Sequence, residues 1–424
     1  MLLLLERHGG ANVSLGGQAR LVLLLIPGLD LRNLSAESTP FLHQAFRDFS
    51  WAKIETQPSP EQVSTLVTGM NPHDHGIWQM KRLEGVASAR EATALFERFP
   101  DLLTTTWQCI RHQLRRDCDV PTLPPRRRKA FEMHRLKFHG RRNTRDLLNQ
   151  LGAVPSVVSH LGTDRCAYAF TDRLDDFERV ADRAALGEVP LEILQMHAVD
   201  MMGHWVLDTP EKRAAVYRRA DALVERLAEQ CSRRGIDLLA LTDHGQEPVV
   251  ASLDLAAKIE ALDLDPSEFS YYLQPITARF WTRTERARER LTGLLEATPH
   301  GTLLSFADLG AFDIHFADAS YGELYFIADP GHLFFPHDFH HPLVNLVFGL
   351  KDPQQRSRIH SPRHIAYHGY LPHHESERGW IVALNRRLQF TEPVIKLVDV
   401  MPSALSALGE AQPPFMTGRS KLEH

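Results

Sequence analysis

Between Thr209 and Thr242 the chain spells out a helix followed by a strand, and few folds can accommodate that unit beside the rest of the sequence. Thr209 offers an N-cap and Pro210 a first helical residue, while Val216, Ala220, Leu223 and Leu227 recur on one helical face. Gly235 closes the helix and Ile236–Leu241 follows as a continuous apolar strand. A second unbroken apolar run, Leu21–Ile26, is ended by Pro27-Gly28. Strands without polar alternation must be covered on both faces. Alternated with helices, they imply an α/β fold with a mostly parallel central sheet and helices on both faces. Ligands of such sheets bind at the carboxyl ends of the strands.

Other segments fit this plan. Thr39-Pro40-Phe41-Leu42 reads as a helix start, and Trp51–Thr56 as a second strand. Pro60 then opens a helix that runs toward Val67 and stops near Gly69. Val157-Val158 and Leu191–Met196 are further strand candidates. We expect an N-terminal extension over residues 1–20 and one α/β domain over 20–420. Two insertions are expected in it, at about 80–150 and at 251–363. The second is too long for a loop and should fold as an inserted cap subdomain. Within the first, Arg111–Arg145 holds twelve Lys/Arg against three acids, which suits a solvated basic loop or a lid over an anionic substrate. Residues 422–424 resemble the remnant of a tag.

A net charge of -5 carries no global basic field, so a nucleic acid polymer is not the expected partner. Four scattered cysteines, Cys109, Cys118, Cys166 and Cys231, form no CxxC pair and suit a reducing compartment. With neither a signal peptide nor a membrane span evident, a cytoplasmic location is expected. Histidine is abundant at 23, and nine of these lie from His332 to His374. Neutral imidazole is the commonest transition-metal ligand, so this enrichment points toward a metal site.

Candidate chemistry gathers at predicted strand ends. Ser59, in Gln57-Pro58-Ser59-Pro60-Glu61, would cap the helix opened by Pro60. Unpaired N–H groups and the helix dipole favour an anion at such a position, which suits a nucleophile that carries a phosphoryl group. Asp200 and His204 stand four apart in Asp200-Met201-Met202-Gly203-His204 and can share a zinc ion. Asp243 and His244, in Thr242-Asp243-His244-Gly245, follow the Leu238–Leu241 strand directly. His368 lies in Tyr367-His368-Gly369-Tyr370.

In this order the motifs resemble the alkaline phosphatase superfamily, and within it the type I phosphodiesterase/nucleotide pyrophosphatase family. Ser59 precedes Thr68-Gly69 by nine residues, and Asn71-Pro72-His73-Asp74-His75-Gly76-Ile77 is similar to the family's stretch after the nucleophile. Tyr321-Gly322-Glu323-Leu324, Asp329-Pro330-Gly331 and Val398-Asp399-Val400-Met401-Pro402 resemble later family segments, so the likeness spans roughly residues 20 to 418. It implies a metal-dependent hydrolase of small-molecule phosphate esters acting through a phospho-serine. Asp200, His204 and His368 would hold one ion, usually Zn2+, with Mn2+ as the alternative. Asp243, His244 and the Ser59 oxygen would hold a second.

The chain departs from the family at one ligand. An Asp is expected at the end of the first strand, where Pro27 stands. Pro27 therefore supports an alternative: a non-catalytic or weakly active binding protein on the same fold. A sulfatase relation is disfavoured, because Glu61 and Val63 occupy positions where sulfatases carry Pro and Arg.

Overall fold

The computed structural model describes residues 19–58, 62–78, 81–83, 131–133, 141–186, 188–205, 207–338 and 363–423. We number the principal strands along the chain. β1 is Leu21–Leu25, β2 Trp51–Glu55, β3 Arg141–Asn143, β4 Cys166–Thr171, β5 Leu191–Met196 and β6 Asp237–Thr242. β7 is Phe269–Leu273, β8 Thr277–Thr282, β9 Gly301–Ser305, β10 Leu324–Ala328, β11 Gly379–Ala383 and β12 Val394–Lys396. Eight strands form the central sheet in the order β12-β2-β11-β6-β1-β5-β4-β3. Its core pairs β6/β1, β1/β5 and β5/β4 are parallel, as is β12/β2; β11 and the edge strand β3 run the other way.

The apolar run in β1 explains the layering. Leu21, Leu23 and Leu25 face one core, together with Leu66, Val67, Leu147, Met401 and Leu405 from overlying helices. Val22, Leu24 and Ile26 face the other, against Leu42, Phe177, Val216, Ala220 and Leu227. A strand walled on both sides gains about 1.5–3 kcal/mol per fully buried Leu, and truncating one to Ala costs about 2–5 kcal/mol. The expected mostly parallel sheet with helices on both faces is thus observed.

The helix Pro210–Arg233 has the Thr209 cap that its sequence signals, and Pro40–Asp48 begins at the expected proline. Val157-Val158 requires a correction: it lies in a helix, Val157–Leu161, and not in a strand. Ser156 and Ser159 form a reciprocal capping box there, which overrides the β preference of two adjacent valines. The helix after β2 spans Val63–Thr68 with Gln62 at the cap position. Ser59, Pro60 and Glu61 lie outside the described residues, as does most of the basic stretch Arg111–Arg145. Leu422 pairs with Phe390 and is buried against the central sheet.

A second, antiparallel sheet, β7-β8-β10-β9, lies along the chain between the central strands β6 and β11. It has its own core, in which Ile259, Leu291 and Leu295 pack on Phe280 and Phe326. On its other side Tyr321 and Tyr325 pack on Trp78. Among the described residues no helix is long and apolar enough to cross a membrane.

Candidate metal centre

The carboxyl ends of β5, β1 and β6 lie side by side, and Asp200, His204, Asp243 and His244 follow two of them. After β5 the chain enters the helix Ala198–Trp205, where Asp200 and His204 fall one turn apart on a shared face. The backbone carbonyl of His204 accepts from the Ile365 N–H at 2.9 Å, and its Nδ1 donates to the Ala366 carbonyl at 2.9 Å. This stitching brings the late His368 beside the helix. Asp243 and His244 follow β6 directly.

All five side chains are buried and adjacent. Nε2 of His204 and Nε2 of His368 each lie 3.5 Å from Asp200 Oδ1. His244 stacks on His368 with ring centroids 3.6 Å apart, and its Nε2 is 3.6 Å from Asp243 Oδ1. Among the described residues, the ligand atoms of Asp200, His244 and His368 all lie within 4.8 Å of one another. His244, expected beside Asp243, therefore also stands with Asp200 and His368.

The donors suit a zinc ion. A carbonyl only accepts, so Nδ1 of His204 carries a hydrogen, and so does Nδ1 of His244, which bonds the Gly245 carbonyl at 2.9 Å. In the neutral rings both Nε2 atoms keep their lone pairs. Tetrahedral zinc with bonds of roughly 2.0–2.1 Å spaces its donors about 3.3–3.4 Å apart. The 3.5 Å separations around Asp200 Oδ1 approach that spacing.

The two carboxylates are pushed in opposite directions. Burial opposes ionisation of Asp200, but His204, His368 and His197 outweigh it and hold the carboxyl well below its usual range. Burial raises Asp243, and the Asp200 charge adds to the rise while His244 opposes it. Burial and then the neighbouring His244 push His368 well below an ordinary imidazole. For His244 burial is outweighed by Asp243, Asp200 and Glu377, which raise it.

The turn after β1 shows what became of the expected Asp. Pro27 is buried, and Gly28, at φ +78°, runs so close that a Cβ there would lie 2.9 Å from Asp200 Cα. Only glycine fits that path. Asp30 is no substitute ligand. Its carboxylate accepts from the Arg32 backbone at 2.8 Å and from the Arg32 guanidinium at 2.6 to 3.1 Å.

Three neighbours were not anticipated. His197 places Nε2 3.5 Å from Asp200 Oδ2; its i,i+3 spacing to Asp200 was a usable signal. Gln246 donates from Nε2 to Asp200 Oδ1 at 2.7 Å and to the Asp200 carbonyl at 3.0 Å. Glu377 is raised by burial to about 7 and accepts from the Gly369 N–H at 2.7 Å, beside His368. Neither of the last two has a sequence signature.

Around the Ser59 segment, Gln62 Nε2 donates to the Gln57 carbonyl at 2.9 Å and ties the segment's two ends together. A cavity of about 460 Å³ opens beside it, lined by Gln57, Gln62, Asn71, His373, Arg378 and Lys396. His75 serves the backbone instead. Its Nδ1 accepts from the Ile77 N–H at 3.1 Å, so Nε2 donates to Thr65 Oγ1 at 3.0 Å.

A family model for type I phosphodiesterase / nucleotide pyrophosphatase matches residues 21–331. The chain belongs to that family. Its match takes in every candidate residue except His368, which lies beyond residue 331. Solved structures of human and murine ectonucleotide pyrophosphatase / phosphodiesterase 5 share the fold, at TM-scores of 0.57 and 0.56 and 14% identity. Each comparison covers 93% of this chain and 96% of the other. An inactive murine variant in complex with AMP matches at 0.56 and 14%, over 94% of this chain and 96% of its own. No curated protein matches the chain.

Proposed function

We propose that the protein hydrolyses small phosphate esters, as a metal-dependent phosphodiesterase of the nucleotide pyrophosphatase type. The observation that carries this reading is the convergence of Asp200, His244 and His368 donor atoms within 4.8 Å, buried at the carboxyl ends of the sheet. Asp200, His204 and His368 would hold a zinc ion, and Asp243, His244 and the Ser59 oxygen would hold a second. When bound, zinc or manganese supplies positive charge that offsets the phosphoryl oxygens.

Ser59 is the proposed nucleophile. Its Oγ attacks phosphorus and loses its proton while the ester oxygen leaves and takes one up, giving a phospho-serine. Water then attacks the same phosphorus, the Ser59 oxygen departs and regains a proton, and phosphate or a phosphomonoester is released. The cavity beside Gln57 and Gln62 would receive the organic part of the ester, between Arg378, paired with Glu375, and Lys396, paired with Asp313. The AMP bound by the murine relative makes a nucleotide ester the first substrate to try.

Pro27 favours a second reading, a binding protein that retains one ion and lacks turnover. Hydrolysis of bis-p-nitrophenyl phosphate and p-nitrophenyl phosphate, with zinc or manganese added, separates the two. We expect turnover that needs added metal and stops with chelator. Stoichiometric zinc without release of p-nitrophenol would establish the binding protein.

A further inference from the structure

We infer that Gln246 is a positioning residue for the metal centre, holding the Asp200 carboxylate in the orientation that an ion requires. The inference rests on the reading of Asp200 as a metal ligand.

Gln246 Nε2 donates to Oδ1, the same Asp200 oxygen that faces His204 and His368. A carboxylate oxygen can accept an N–H and bind a cation at once, through different lone pairs. His197 lies on the opposite oxygen, Oδ2. The two partners, one on each oxygen, leave the carboxylate little freedom to rotate. Outer partners of this kind orient ligands and set the affinity of a metal site.

Gln246 is itself held. Its N–H reaches Asp30 Oδ2 at 3.4 Å, and its carbonyl accepts from Arg32 at 3.1 Å. Arg32 grips both Asp30 and Glu247. The chain that follows β1 thus reaches the centre through this brace, although Pro27 offers it no ligand. Gly203 completes the arrangement. A Cβ there would stand 1.6 Å from Gln246 Oε1, and the three nearest atoms all belong to Gln246. The helix is missing a methyl group at the place the amide occupies.

That overlap gives a test that does not depend on activity. Zinc affinity is measured by competition with a chromophoric chelator for the full chain and for Gln246→Ala, Gly203→Ala and the double variant. Thermal melts of the metal-free proteins report folding. Removing the donor should weaken zinc binding about 10- to 100-fold, the range for an outer partner. Gly203→Ala favours the helix intrinsically, yet it must drive the amide off Asp200, so it should weaken zinc binding in the same direction. In the Gln246→Ala background the added methyl meets no amide, and it should change affinity less than twofold. This non-additivity is what a merely structural role would not produce. Affinity of Gln246→Ala within twofold of the parent, or two losses that add, would overturn the inference. A parent chain that binds no zinc, or an Asp200→Asn variant that binds it as well as the parent does, would overturn the metal reading as well.

Discussion

The candidate metal centre has a furnished side and a stripped side. On the first, Asp200 meets three imidazoles and an amide, and its charge is stabilised. On the second, Asp243 Oδ1 is buried without a hydrogen-bond partner, burial pushes its carboxyl up, and the turn from β1 contributes Pro27. Both sides sit on equally well-built strands, so the difference does not arise in the scaffold. It comes from one side chain. An aspartate at position 27 would have given Asp243 a second carboxylate with which to share a cation. Without it, burial and the nearby Asp200 charge both push the Asp243 carboxyl up. A fold can therefore keep its full architecture while one turn of its site lacks a carboxylate.

The largest expected effect addresses whether the stripped side still does chemistry. Ser59→Ala should lower turnover of bis-p-nitrophenyl phosphate by roughly three orders of magnitude or more, as loss of a nucleophile does. Zinc bound on the Asp200 side should hardly change. An alanine variant with parental turnover removes Ser59 from the mechanism. Next in size is Asp200→Asn. It takes the charge from the furnished side and should weaken zinc binding by more than about 100-fold, beyond the range of an outer partner. Equal affinity of the asparagine variant would mean that the ion sits elsewhere.

Pro27→Asp sharpens the comparison directly. The parent should purify with close to one equivalent of metal, and the variant should approach two by elemental analysis. Turnover should rise with occupancy, by about tenfold at saturating zinc, which corresponds to about 1.4 kcal/mol in the barrier. Two equivalents in the parent would show that another group has taken the lost position. Asp30 is a poor candidate for it, since Arg32 occupies its carboxylate.

Much of this was legible in sequence because burial leaves a period and caps leave a residue type. β1, β5, β6 and the Pro210–Arg233 helix announced themselves through apolar runs and the Thr-Pro start. Val157-Val158 did not, since a two-residue capping box decides the local structure and two valines have no period. The ligating candidates were legible through order and strand ends. The place of His244 was not, because it turns toward His368 by stacking, a contact 124 positions away along the chain. Gln246 and Glu377 were invisible for a related reason: an amide or a carboxylate acquires its role only from the atom it reaches.

His75 gives the smallest expected effect and the cleanest control. His75-Gly76, His244-Gly245 and His368-Gly369 are the same dipeptide. In the last two the imidazoles stack on each other beside Asp200. In the first it bonds Thr65 Oγ1 and the Ile77 N–H, and so ties the helix Val63–Thr68 to the turn behind it. His75→Leu leaves that N–H and hydroxyl without a partner in a buried place, at a cost of about 1–3 kcal/mol in stability. His75→Asn should lose less, since an Asn side chain can still accept from the N–H two residues on. Zinc affinity should stay within about twofold of the parent in both, well inside the 10- to 100-fold range of an outer partner. Denaturant melts and chelator competition on the two variants measure this. A His75→Leu chain that keeps its stability and loses zinc would move His75 from the backbone to the centre.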